Sequence, residues 1–315
     1  MATEELRKHQ GPPEMLGAPC DLSLVVVAYN MDRELPRTLL SLAPPYQRGV
    51  DGCNYEIIVL DNGSHRPPDL SALSSEVVQR LRLKRIENAS PSPATAINAG
   101  LDMARGNIVG LMIDGARLAS PGLVGRALQA MRLHDRAIVA TLGFHLGPDI
   151  QTRSIHHGYD RDTEDRLLAE ANWQEDGYNL FAISALGGSS AGGWFRPIAE
   201  SNALFMTKAM WRELDGVDER FQSPGGGAIN LDTYVRACAL PDSELVVLLG
   251  EGTFHQVHGG VATNSRSREV IREILKEYEQ IRGAPFLSPT RKPIYLGQLP
   301  RQCMPWLAHS IEQAG

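Results

Sequence analysis

The sequence predicts an α/β fold in which a mostly parallel sheet is flanked by helices within one domain. Three observations predict it. Continuous apolar, β-branched runs recur through the first half, as in strands buried on both faces. Amphipathic helical stretches separate them, the alternation that builds parallel sheets. Three of the runs end in polar clusters, Tyr29-Asn30, Asp61-Asn62 and Asp114. Ligands of such sheets bind beyond the carboxyl ends of the strands.

Leu22–Ala28 (LSLVVVA) reads as the first strand, and Leu35, Leu39 and Leu42 mark one face of the helix after it. Tyr55–Leu60 is a second strand and Leu81–Ile86 a weaker third. Ser92-Pro93 resembles an N-cap with proline in the first turn; Ile97, Leu101 and Ala104 give that helix its stripe, and Gly106 ends it. Ile108–Ile113 is a fourth strand. A helix capped by Ser120-Pro121 follows, then a fifth strand, Ala137–Leu142. The middle is less regular, with His156-His157 and a glycine-rich GGSSAGGWF at Gly187–Phe195. Later come a strand-like stretch at Ser201–Lys208, a helix ending before Pro241, a buried strand at Glu244–Leu249 and an amphipathic helix at Ser267–Arg282. The proline-rich remainder, 283–315, is expected to be an irregular tail or lid.

The 315 residues allow one large domain or two modest ones. There are 31 lysines and arginines against 37 aspartates and glutamates, a net charge of −6. That balance excludes a general nucleic-acid binder, which needs a basic surface. No apolar run approaches the roughly 20 residues of a membrane span. The first twenty residues lack a signal-peptide core and read as a flexible tail. Cys20, Cys53, Cys238 and Cys303 form no CxxC pair and read as free thiols of a cytoplasmic protein.

The ordered set VVVAYN (Val25–Asn30), EIIVLDNGS (Glu56–Ser64), NAGLDMARGNIVGLMID (Asn98–Asp114), LDGVDERF (Leu214–Phe221) and NLDTYVRA (Asn230–Ala237) resembles the family 2 glycosyltransferases. These have the GT-A fold, a Rossmann-like nucleotide-sugar fold. The resemblance spans about Leu22 to Gly260 and implies sugar transfer from a nucleoside-diphosphate donor, a UDP-sugar before a GDP- or dTDP-sugar. It implies an acceptor that is a small molecule, a glycan or a lipid-linked acceptor. The resemblance places the base and ribose at Ala28, Tyr29, Asn30 and Asp61. It lines the donor cleft with Asn98, Asp114 and Arg117, with Arg105 either facing the diphosphate or solvated at a helix end.

Asp114 corresponds to the first carboxylate of the family's Asp-x-Asp motif, which holds ribose and a divalent metal, Mn or Mg. Here the motif reads Asp114-Gly115-Ala116, without its second carboxylate. The resemblance to the wider GT-A group, whose members often supply a histidine to the metal, makes His255 and His258 candidate substitutes, with a structural or solvent role as the alternative. Residues three apart in an extended segment face opposite ways, so one of them is expected to reach the cleft, and the following glycines favour His258. The alternative source of positive charge is Arg117, Arg266 or Arg268. The family's usual base position falls on Asn230, which leaves Asp232 as the nearest carboxylate, either the base or a helix-terminus carboxylate. GGAINLDTYVR is also similar to the retaining polypeptide N-acetylgalactosaminyltransferases, so both stereochemical outcomes stay open. Trp194, Glu200 and Asn202 are the acceptor-binding candidates, with Trp194 and Phe195 either stacking on sugar or filling core. His156, His157, Tyr159 and Asp160 either line the acceptor pocket or form a surface loop.

The expected organisation is a nucleotide half at about 21–143 and an acceptor half at about 144–282. The rival function, motivated by the two lost carboxylates, is a catalytically silent protein that binds a nucleotide-sugar or glycan.

Overall fold

The computed structural model describes residues 20–258 and 268–315. Ten strands form one sheet: β1 (Leu22–Ala28), β2 (Tyr55–Asp61), β3 (Leu81–Arg85), β4 (Ile108–Met112), β5 (Arg117–Ala119), β6 (Ala137–Leu146), β7 (Ser184–Leu186), β8 (Leu204–Thr207), β9 (Glu244–His255) and β10 (Ile294–Gly297). The spatial order is β10-β9-β6-β8-β4-β1-β2-β3, with β5 added to β9 and β7 to β6. The first half is the parallel unit that the β-branched runs predict, β4-β1-β2-β3. β1 and β2 are buried along their whole length, which is why their runs show no alternation.

The second half joins this unit through β8, which runs antiparallel to both β4 and β6. That reversal matters for function. The register Leu111↔Leu204 puts the residues just before β8 beside those just after β4. Glu200 and Asn202 therefore arrive next to the Asp114 turn from a distant part of the sequence.

Apolar clusters pack both sheet faces. One centres on the helix Ala94–Met103, Phe144, Trp194 and Phe254; the other centres on the helices Glu34–Ser41 and Leu123–Ala130. The C-terminal stretch is more regular than expected. It contributes β10, parallel to β9, and the helix Met304–Ala314. Its sequence hid this because β10 is an edge strand of four residues among prolines.

Candidate functional site

Sheet register assembles the site. Arg117 of β5 stands opposite His255 of β9, and His255 stands opposite His145 of β6. Paired residues share a face, so the three form one row across adjacent strands. β5 returns directly from the Asp114 turn, which brings the carboxylate against that row. The turn closes over the end of β1, where Gly115 N–H donates to Val27 O at 2.7 Å. A Cβ on Gly115 would lie 3.0 Å from both Ala28 Cβ and Val27 O, so the close approach favours glycine.

Three ligand-type atoms converge. Asp114 Oδ2 lies 2.9 Å from His255 Nε2 and 3.6 Å from His258 Nε2. The two histidine Nε2 atoms are 3.2 Å apart. The expectation that one histidine reaches the cleft is therefore corrected, because both do. β9 ends at His255, so strand parity does not govern His258. The segment between is fixed from both sides. Gln256 N–H donates to Ala116 O at 2.8 Å. Val257 N–H donates to Glu164 Oε2 at 2.7 Å, Arg33 donates to Val257 O at 2.8 Å, and Arg33 and Glu164 are themselves paired at 2.8 Å.

The protonation pattern is that of a cation site. Gln151 Oε1 sits 2.5 Å from His255 Nδ1, a contact suited to the tautomer that carries its proton on Nδ1 and presents Nε2 as a lone pair. Burial, with the Arg117 guanidinium beside it, pushes His255 down to about 4, so the ring is neutral at pH 7. Burial also lowers His258, but Asp114 and Glu34 outweigh it and leave that imidazole raised. Burial opposes ionisation of Asp114, yet the two histidines hold its carboxyl well below the usual range. With the proton on Nδ1, the Nε2 lone pair faces a carboxylate oxygen at 2.9 Å, an arrangement that a cation between them would satisfy. Among the described residues these three form the group able to hold a metal, with their ligand atoms within 4.8 Å of one another.

Arg117 is the nearest fixed cation. It is buried, its Nε is 3.9 Å from Asp114 Oδ2, and that Nε has no hydrogen-bond partner among the described residues. Arg266 lies outside the described residues, as does the side chain of Arg268.

The lip where β1 and β2 end is held together by side chains. Asn30, at φ 53°, donates its N–H to Ser64 Oγ (2.8 Å) and accepts from His65 N–H (2.8 Å). Tyr29 is exposed, with its ring 6.1 Å from that of His65. Ala28 is buried and its carbonyl accepts from Asn62 N–H.

Several expected site residues have partners within the fold. Asp61 is buried; its oxygens accept from Ser64 N–H (2.9 Å) and Arg85 (3.0 Å), so it shapes the lip from beneath. Asn98 bridges to the 214–221 turn through Val217 N–H, Val217 O and Glu219. Arg105 binds Glu56, at the opposite end of the strands from Asp114. Asp232 is clamped by Arg236 (2.8 Å) and Arg282 (2.5 Å), with its side chain 1% exposed, which favours the helix-terminus alternative over the base. Trp194 is core, its indole N–H donating to Leu248 O. Phe195 packs edge-on against Tyr295. Tyr159 is buried on Glu164, and Asp160 caps the helix Arg161–Ala171. His156 and His157 lie in the short helical turn Ile155–His157, which buries neither ring.

Glu200, Asn202 and Asn230 do come together. Asn230 Nδ2 donates to Glu200 Oε2 (2.8 Å) and to Asn202 Oδ1 (3.1 Å). A Cβ on Gly143 would meet Asn202 Nδ2 at 2.9 Å and Arg117 Nη1 at 4.0 Å, so this glycine lets the two groups approach. Gln151, His145, Glu164, Arg33 and His65 were not identified from the sequence. His145 carried a signal, since the fifth strand extends past Leu142 to reach it.

Residues 23–188 match the family model described as glycosyl transferase family 2. No curated protein matches the chain. Among solved structures, residues 1–349 of S. aureus TarS in complex with UDP are 13% identical at a TM-score of 0.48, covering 85% of this chain and 67% of that one. A longer S. aureus TarS structure is 13% identical at a TM-score of 0.49, covering 82% of this chain and 40% of that one. The 1–349 piece in complex with UDP-GlcNAc is 14% identical at 0.46, covering 82% and 66%. The chain thus spans only part of the length of these proteins.

Proposed function

The chain belongs to glycosyl transferase family 2, and from that premise we propose a donor site centred on Asp114, His255 and His258. In this reading the three side chains hold a divalent cation, Mn2+ or Mg2+, and a nucleoside-diphosphate sugar lies with its diphosphate against them. The observation that carries the reading is the convergence of one carboxylate oxygen and two imidazole nitrogens, one of them neutral and oriented by Gln151. Those residues fit a cation that prefers mixed nitrogen and oxygen ligands. Such a cation supplies charge neutralisation for the departing diphosphate. His255 thus takes the role that Ala116 cannot. Arg117 adds fixed positive charge at the same spot, in a buried setting where it acts strongly.

We assign the base and ribose to the lip of Tyr29, Asn30 and His65, and the acceptor to the side of Glu200 and Asn202. UDP-sugars come first among donors, with GDP- and dTDP-sugars behind; acceptor hydroxyls are those of small molecules, glycans or lipid-linked acceptors. Residues 21–282 are read as one domain, because strands of both halves alternate in one sheet. A cytoplasmic setting is supported by four unpaired cysteines. No helix among the described residues is long and apolar enough to cross a membrane.

The test is a thermal-shift panel of UDP-, GDP- and dTDP-sugars, each with Mn2+ and with chelator. One donor is expected to stabilise the protein by about 2.7 kcal/mol at a hundredfold excess over its Kd, and to need the metal. No shift with any donor refutes the site.

A further inference from the structure

Inverting transfer to a hydroxyl requires a group that removes the acceptor's proton, and the family's usual position for it is Asn230, which cannot ionise. The carboxylates near the site are nearly all engaged. Asp114 faces the two histidines. Asp232 and Asp218 are clamped by arginines. Glu164 is held by Arg33 and Val257 N–H. Glu251 is sealed by Ser120, Gly122 and Tyr178. Glu200 differs. It is half-buried and lies on the irregular segment that the antiparallel β8 delivers to the Asp114 end of the sheet. One of its oxygens, Oε2, accepts from Asn230 Nδ2; the other, Oε1, accepts no hydrogen bond among the described residues.

We propose that Glu200 is the general base of the transfer and that Asn230 is the residue that positions it. Position 230 keeps its place in the site but has exchanged roles: both hydrogens of its amide are directed, one to Glu200 and one to Asn202, so it orients a carboxylate instead of being one. In the step, the acceptor oxygen bonds to the anomeric carbon as its proton passes to Glu200 Oε1. The bond from that carbon to the phosphate oxygen breaks, and its electron pair leaves with the nucleoside diphosphate. One displacement inverts the anomeric centre. This rests on the donor-site reading above.

The test uses the full chain and the donor selected by the panel, with water as the acceptor and release of nucleoside diphosphate as the readout. Glu200→Gln is expected to lower kcat by about 10²–10⁴, the usual contribution of a general base, with donor KM and donor thermal shift retained. Adding Asn230→Asp to that variant returns a carboxylate to the neighbouring position and is expected to restore at least about tenfold, which a merely structural defect would not do. The released sugar is expected to be the inverted anomer. A Glu200→Gln variant that turns over within about threefold of the parent, or a retained anomer, overturns the proposal. Absence of the donor shift in the parent protein removes the donor site itself, a different failure.

Discussion

Replacing Asp232 by asparagine separates architecture from chemistry. The side chain is 1% exposed, and three charge-assisted hydrogen bonds reach it, from Arg236 Nε at 2.8 Å and from Arg282 Nε and Nη2 at 2.5 and 2.7 Å. Removing one member of a buried ion pair costs about 3–5 kcal/mol. Here the arginines keep other partners: Arg236 donates to Leu214 O and Gly216 O, and Arg282 pairs with Asp218 at 2.8 Å. Both guanidinium groups are also about a fifth exposed. The lower end applies, about 3 kcal/mol. At roughly 2–4 °C per kcal/mol, the melting temperature falls by about 6–12 °C. Calorimetry reads that shift, and donor hydrolysis measured well below both transitions reads the chemistry. Hydrolysis per folded molecule is expected to stay within about threefold of the parent. An unchanged melting temperature with hydrolysis reduced a hundredfold would make Asp232 the base and refute the reasoning.

Trp194→Ala removes a buried indole whose N–H is bonded to Leu248 O, so it is expected to cost about 3–5 kcal/mol by denaturant unfolding while leaving donor affinity unaltered. Acceptor recognition that is lost without any loss of stability would restore Trp194 to the site. His258 is raised above its ordinary value by Asp114 and Glu34 against the effect of burial, so below that value a proton competes with a cation for Nε2. Mn2+ affinity, followed by titration calorimetry, is therefore expected to fall as pH drops below that raised value, approaching about tenfold per unit for one displaced proton. A pH-independent affinity would exclude His258 as a ligand.

The parallel half was legible because its strands are buried on both faces and its helices carry clean stripes. β5 and β10 were not, since strands of three and four residues leave no periodicity. Asp114 could be placed because a single aspartate closes an apolar run. His255 was named but set behind His258, because its approach to Asp114 depends on β5, β6 and β9 lying side by side, which no local pattern reveals. Asp232 shows the opposite case: its place in a motif suggested chemistry, whereas its partners, Arg236 four residues on and Arg282 fifty residues on, lie in the fold and favour the structural alternative. Glu200 was identified as polar and near the acceptor, but its link to Asn230 spans thirty residues and is tertiary.

The central claim, that His255 and His258 rebuild with Asp114 the centre that Ala116 leaves incomplete, is tested most directly by the electron paramagnetic resonance of bound Mn2+. The parent protein is expected to bind one Mn2+, with nitrogen hyperfine coupling from two imidazoles, and His255→Ala is expected to lose one of those couplings and most of the affinity. Mn2+ bound equally well by His255→Ala, or bound with no nitrogen coupling in the parent protein, would contradict it.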